Sequence, residues 1–137
     1  MIERIFWILG SLPFIILGTL HLVYTFWTNK FSSRNTALVA EMKISYPILT
    51  RRTTMWKAWI GFNASHSSGA MYLGIINLLI AILFPSILAN PALVILTLGT
   101  VIFYLWLAKT YWFRIPFTGI LISLICYCVS IILMMFH

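Results

Sequence analysis

Acidic side chains are nearly missing from this sequence: its 137 residues include two, Glu3 and Glu41, against nine Lys and Arg. Neither lies in the middle of an apolar run, which argues against a carboxylate proton relay and against a glutamate-driven isomerase. No Ser-His-Asp set can be assembled either, although Ser65, Ser67 and Ser68 neighbour His66. Cysteine is equally scarce. Cys126 and Cys128 fall about 200° apart around a helix and are not expected to pair, so neither C-x-x-C redox chemistry nor a zinc cluster is supported. Two intramembrane histidines make a thin metal site, and no metal is expected.

What is present is apolar. With 62% hydrophobic and 8% charged residues the chain lies outside the range of soluble domains. The composition predicts an all-α, integral membrane four-helix bundle. A spanning helix needs roughly 20 apolar residues, and four such stretches occur, at about 5–27, 55–84, 92–108 and 115–136. They imply a single four-span membrane domain over 1–137. The first run is too long for a signal-peptide core and no small-x-small cleavage site follows it, so it reads as a retained helix. The second exceeds the hydrocarbon thickness and must tilt or extend into the interface.

Orientation follows from the cations. Lys30, Arg34, Lys43, Arg51, Arg52 and Lys57 sit near the first loop, Lys109 and Arg114 at the third, and only Arg4 on the opposite side. Positive residues in short loops stay cytoplasmic, which predicts both termini outside and loops 1 and 3 inside. The formal charge of +7 is spread along span edges without a recognition motif, so anionic lipid headgroups, not nucleic acid, are the expected partner. Within the loop at 28–54, Asn35 or Thr36 caps a short interfacial helix through Lys43, with Leu38, Val39 and Met42 on one side and Pro47 stopping it.

The polar block Gly-Phe-Asn-Ala-Ser-His-Ser-Ser-Gly, residues 61–69, lies inside the second span. Residues three and four apart share a helix face, so Trp59, Asn63, His66, Ser67, Ala70, Gly74 and Asn77 form one stripe. Similar stripes occur in the first span (Gly10, Phe14, Leu17, His21, Thr25), the third (Thr97, Thr100, Tyr104, Tyr111) and the fourth (Gly119, Ser123, Tyr127, Ser130). In lipid such faces turn inward. Counted from the cytoplasmic edge at 1.5 Å per residue, His21, Asn63 and His66 lie roughly 9, 11 and 15 Å deep, and Tyr104 and Ser123 roughly 6 and 12 Å. A polar pocket in the cytoplasmic leaflet is expected. His66, His21 and Asn63 are its acid-base candidates, and Tyr24, Thr25, Trp59, Ser67, Tyr104, Ser123 and Tyr127 its ligand-binding lining.

Intramembrane ionisable residues default to functional candidates, whereas polar groups on membrane helices also serve as packing contacts worth about 1 kcal/mol each. Three readings follow. The first is binding of a hydrophobic small molecule, lipid or isoprenoid-like, with histidine acid-base chemistry on it left open. The second is an accessory or structural subunit, with a homo-oligomer or another membrane protein as partner. The third is a bis-histidine haem protein, in which His21 and His66 ligate the iron, Gly18 and Gly69 leave room for the ring, and Arg34, Arg51 or Arg52 pair the propionates. No cofactor is otherwise expected. A transporter is less favoured, since four spans are few for alternating access and no paired discontinuous helices are evident.

The Gly-Thr-Leu-His of the first span, the basic first loop and the Gly-Phe-Asn-Ala-Ser-His-Ser block together resemble uncharacterised small four-span bacterial membrane proteins, and the architecture is loosely similar to DoxX-type proteins. The resemblance covers most of the chain in span layout, and in detail only His21 and 63–67. It implies fold and topology and carries over no reaction and no catalytic residue.

Overall fold

A helix in lipid must satisfy its backbone internally, and most of this chain does so. The computed structural model describes residues 1–136. Among them are five α-helices, α1 (Ile2–Trp27), α2 (Thr36–Ile44), α3 (Met55–Leu83), α4 (Pro91–Tyr111) and α5 (Arg114–Met135), with a 3-10 turn at Pro85–Ile87. Helices α1, α3, α4 and α5 are each long and apolar enough to cross a membrane, so this is an all-helical integral membrane protein. The 29 residues of α3 extend about 44 Å, against a hydrocarbon layer of about 30 Å.

Helix ends follow local chemistry more than the limits of the apolar runs. The Asn35 side chain accepts the Ala37 and Leu38 amides at 3.0 and 3.4 Å and starts α2. That helix passes Lys43 by one residue and closes at Ser45, whose amide and hydroxyl both return to the Glu41 carbonyl at 2.8 Å. Asn90 caps α4 through the Ala92 amide, with Pro91 in the first position, where its missing N–H costs nothing. At its other end α4 continues to Tyr111, three residues past the apolar run, because Lys109 and Thr110 end the hydrophobicity without breaking the helix.

The chain divides into two compact units: Met1–Leu17 with the residues from 70 onward, and Gly18–Gly69. The first holds four helical segments, from α1, α3, α4 and α5. Its core contains Trp7, Phe14, Ala70, Ala81, Leu88, Val101, Ala108, Ile120 and Tyr127. Small residues let backbones approach: a Cβ built on Gly74 would stand 2.8 Å from the Ser11 carbonyl oxygen. Hydrogen bonds then link the segments. Asn77 Oδ1 accepts from Trp7 Nε1 and from Thr97 Oγ1, each at 3.1 Å, while its Nδ2 donates to the Leu73 carbonyl at 3.0 Å. Ser11 Oγ donates to the Trp7 carbonyl at 3.0 Å, so it accepts from the Tyr127 hydroxyl at 3.1 Å. Ser130 donates to the Glu3 carbonyl at 2.6 Å.

The second unit comprises the end of α1, the loop with α2, and the start of α3. The loop is tied to α3 by the Met55 amide, which donates to the Ser45 carbonyl at 2.9 Å. Helix α2 buries no residue. Leu38, Ile44, Tyr46, Ile48 and Leu49 stay exposed in the same loop as Lys30, Arg34, Lys43, Arg51 and Arg52, the composition of a segment that lies on a membrane surface.

Candidate functional site

The second unit brings together residues from α1, α3 and the loop. His21, on α1, places Nε2 3.0 Å from Asn63 Oδ1 on α3. The roles in that bond follow from the next one. Asn63 Nδ2 donates to the Trp59 carbonyl at 2.8 Å, and a carbonyl can only accept, so Oδ1 is the atom that faces the imidazole. His21 Nε2 therefore carries the hydrogen, and in the neutral ring the lone pair sits on Nδ1. His66, three residues beyond Asn63 on the same helix face, meets His21 edge-on with ring centroids 5.4 Å apart. On its other side His21 packs against Phe31, with centroids 4.3 Å apart and the planes tilted by 31°.

The neighbouring polar groups are engaged with backbone. Thr25 Oγ1 donates to the His21 carbonyl at 2.8 Å, and the buried Ser67 donates to the Asn63 carbonyl at 2.5 Å. Ser65 and Ser68 likewise donate to Phe62 and Ala64 carbonyls at 3.0 and 2.7 Å. These hydroxyls relieve the polarity of a membrane helix from within, and no nucleophile-base pair emerges from them. Trp59 stacks on Trp56 with centroids 5.4 Å apart and planes 16° from parallel, and the Lys43 ammonium stands 5.5 Å from the Trp56 ring centre. Tyr24 carries the Lys30 ammonium 4.1 Å from its ring centre.

Of the residues expected to line the pocket, His21, Tyr24, Thr25, Trp59, Asn63, His66 and Ser67 belong to this unit. Tyr104, Ser123 and Tyr127 belong to the other, where Tyr104 meets Phe14 and Trp112 edge-on at 5.6 and 6.1 Å, and Tyr127 meets Trp7 at 5.0 Å. Ser123 is fully buried there, and its hydroxyl has no hydrogen-bond partner among the described residues. Phe31 is the participant that sequence reasoning missed, because a loop residue belongs to no helical period.

The histidine pair does not suit a haem. Ring centroids 5.4 Å apart place the imidazoles in direct contact, which leaves no layer for a porphyrin between them, and His21 Nε2 is already committed to Asn63. Nor do three or more His, Cys, Asp or Glu side chains converge anywhere among the described residues. What the arrangement offers is hydrogen bonding: one imidazole held by Asn63 in a fixed orientation beside a second. The chain matches no protein-family model, no curated protein and no solved structure.

Proposed function

We propose that this protein binds a hydrophobic small molecule, lipid or isoprenoid-like, whose polar end is held at the His21, Asn63 and His66 cluster. The observation that carries this reading is the hydrogen-bond chain from the Trp59 carbonyl through Asn63 to His21, with His66 against it. Ionisable side chains inside a membrane are costly, and a chain that keeps two of them in contact has a use for them. The oriented lone pair on His21 Nδ1 accepts a hydrogen bond from a hydroxyl, and Phe31 supplies an apolar wall beside it. Acid-base chemistry on the bound molecule is the second reading, favoured by the same fixed tautomer, because a base must present its lone pair in a defined direction. In this proposal the basic loop rests on anionic headgroups at the cytoplasmic face of a bacterial inner membrane.

The experiment is mass spectrometry of small molecules that accompany the protein out of mild detergent. The wild type should carry an amphiphile, and His21→Ala, His66→Ala and Asn63→Ala should each reduce its occupancy about tenfold, the effect of losing a hydrogen bond worth roughly 1.4 kcal/mol. A wild type that carries no such molecule, or three variants that retain it fully, would overturn the proposal. Co-purification with a fixed protein partner in its place would favour an accessory subunit.

A further inference from the structure

A second place for a ligand lies in the first unit, and none of the described residues that line it is a histidine. Helices α1 and α5 flank an open groove of about 460 Å³, lined by Pro13, Ile16 and Leu17 on one side and Ile115 and Gly119 on the other, with Arg114 at one end. Its volume falls within the range of small-ligand clefts, roughly 300 to 1,000 Å³. The groove exists because two positions along it carry little side chain. Pro13 is compact, and Gly119 has none: a Cβ on Gly119 would fall 2.6 Å from Leu17 Cδ1, so Leu17 lies directly on the α5 backbone and forms the floor. Ile16 and Ile115 stand exposed as the walls.

Its polarity is confined to one group. Thr118 borders the groove, but its hydroxyl donates to the Arg114 carbonyl at 2.9 Å, which leaves the guanidinium. Arg114 forms no ion pair with a carboxylate among the described residues. Depth agrees. Arg114 opens a helix of 22 residues, about 33 Å long and close to the hydrocarbon thickness, and Tyr111 and Trp112 precede it in the manner of an interfacial aromatic belt. The cation therefore sits at headgroup level with an apolar trough running from it toward the bilayer interior.

We propose that this groove holds one anionic glycerophospholipid of the surrounding bilayer, an acyl chain along Ile16, Leu17 and Gly119 and the phosphate on Arg114. The shape excludes a purely polar ligand, and the lone unpaired cation selects a negative head over a zwitterionic one.

Native mass spectrometry of the full chain in detergent, titrated with phosphatidylglycerol or phosphatidylcholine of identical acyl chains, tests this. The wild type should prefer phosphatidylglycerol about fivefold, as one interfacial cation worth about 1 kcal/mol implies. Arg114→Gln should abolish the preference and Arg114→Lys should keep most of it. Thr118→Trp, or Ile16→Trp should that variant fail to fold, should weaken both lipids by filling the trough. A wild type without preference, an Arg114→Gln that keeps it, a blocked groove that binds as before, or effective competition by glycerol phosphate, which lacks acyl chains, would each overturn the proposal.

Discussion

Gly74→Ala should destabilise the protein by about 3 kcal/mol, the upper end of what overpacking costs a well-packed interior, and more than alanine at any of Gly10, Gly61, Gly99 or Gly119. The added Cβ would stand 2.7 Å from Ile15 Cγ1, 2.8 Å from the Ser11 carbonyl oxygen and 3.0 Å from the Ile15 amide nitrogen. Two of those three atoms are backbone and have no rotamer to escape into, so α1 and α3 must separate locally. Gly119→Ala meets only the flexible end of Leu17 within 3 Å and should cost less. Gly61 and Gly99 have nothing within 4 Å of the built Cβ; alanine there should be neutral or gain up to about 1 kcal/mol from helix propensity. Thermal or denaturant unfolding in one detergent, run on all five variants, checks the order. A Gly74→Ala protein as stable as Gly99→Ala would show that the close approach of α1 and α3 is not needed.

Asn77→Leu should cost about 3 kcal/mol, although leucine is the better lipid-facing residue. One amide oxygen receives both Trp7 Nε1 and Thr97 Oγ1, and Asn77 is 2% exposed, so its removal leaves two buried donors without an acceptor. Unmet buried donors cost roughly 1 to 3 kcal/mol each, although hydrogen bonds between membrane helices measure about 0.6 kcal/mol on average and at most about 2. Trp7→Phe, which deletes one donor and keeps most of the ring volume, should cost less. Because the two residues share a bond, the Trp7→Phe, Asn77→Leu double variant should be less destabilised than the sum of the singles, by about 1 kcal/mol. Strict additivity, or a neutral Asn77→Leu, would remove the amide from its place at the centre of this core.

Much of this architecture is legible in the sequence, because lipid penalises polarity more uniformly than water penalises apolarity. Within the stripes Asn77, Thr97, Ser123, Tyr127 and Ser130 are buried as their helical spacing predicts. Tyr111 follows the α4 stripe yet is 68% exposed, since it is the last residue of the helix and the period no longer governs what lies beside it. Trp7 belongs to none of the stripes read from the sequence, and only its partner seventy positions along the chain makes it a core donor. In the candidate site the depths of His21 and His66 differ by roughly 6 Å, about one helical turn, and the two rings nevertheless touch, because imidazoles reach along the helix as well as outward. Tyr104, Ser123 and Tyr127 were grouped with them on their helical stripes and, for the first two, on depth, and they fall in the other compact unit. Helix phase decides what a residue meets only once neighbouring helices are in place, and a loop contact such as Phe31 on His21 has no phase at all.

The paired indoles at the start of α3 give the protein an optical signature of its own. Trp56 and Trp59 lie nearly parallel with centroids 5.4 Å apart, and the Lys43 ammonium of the basic loop stands over Trp56. Two indoles held that close couple through their strong far-ultraviolet transitions and add an aromatic contribution to the circular dichroism there, while a cation beside one of them shifts its emission. A movement of the loop that carries Lys43 away would therefore alter the light this protein absorbs and emits, with no label attached.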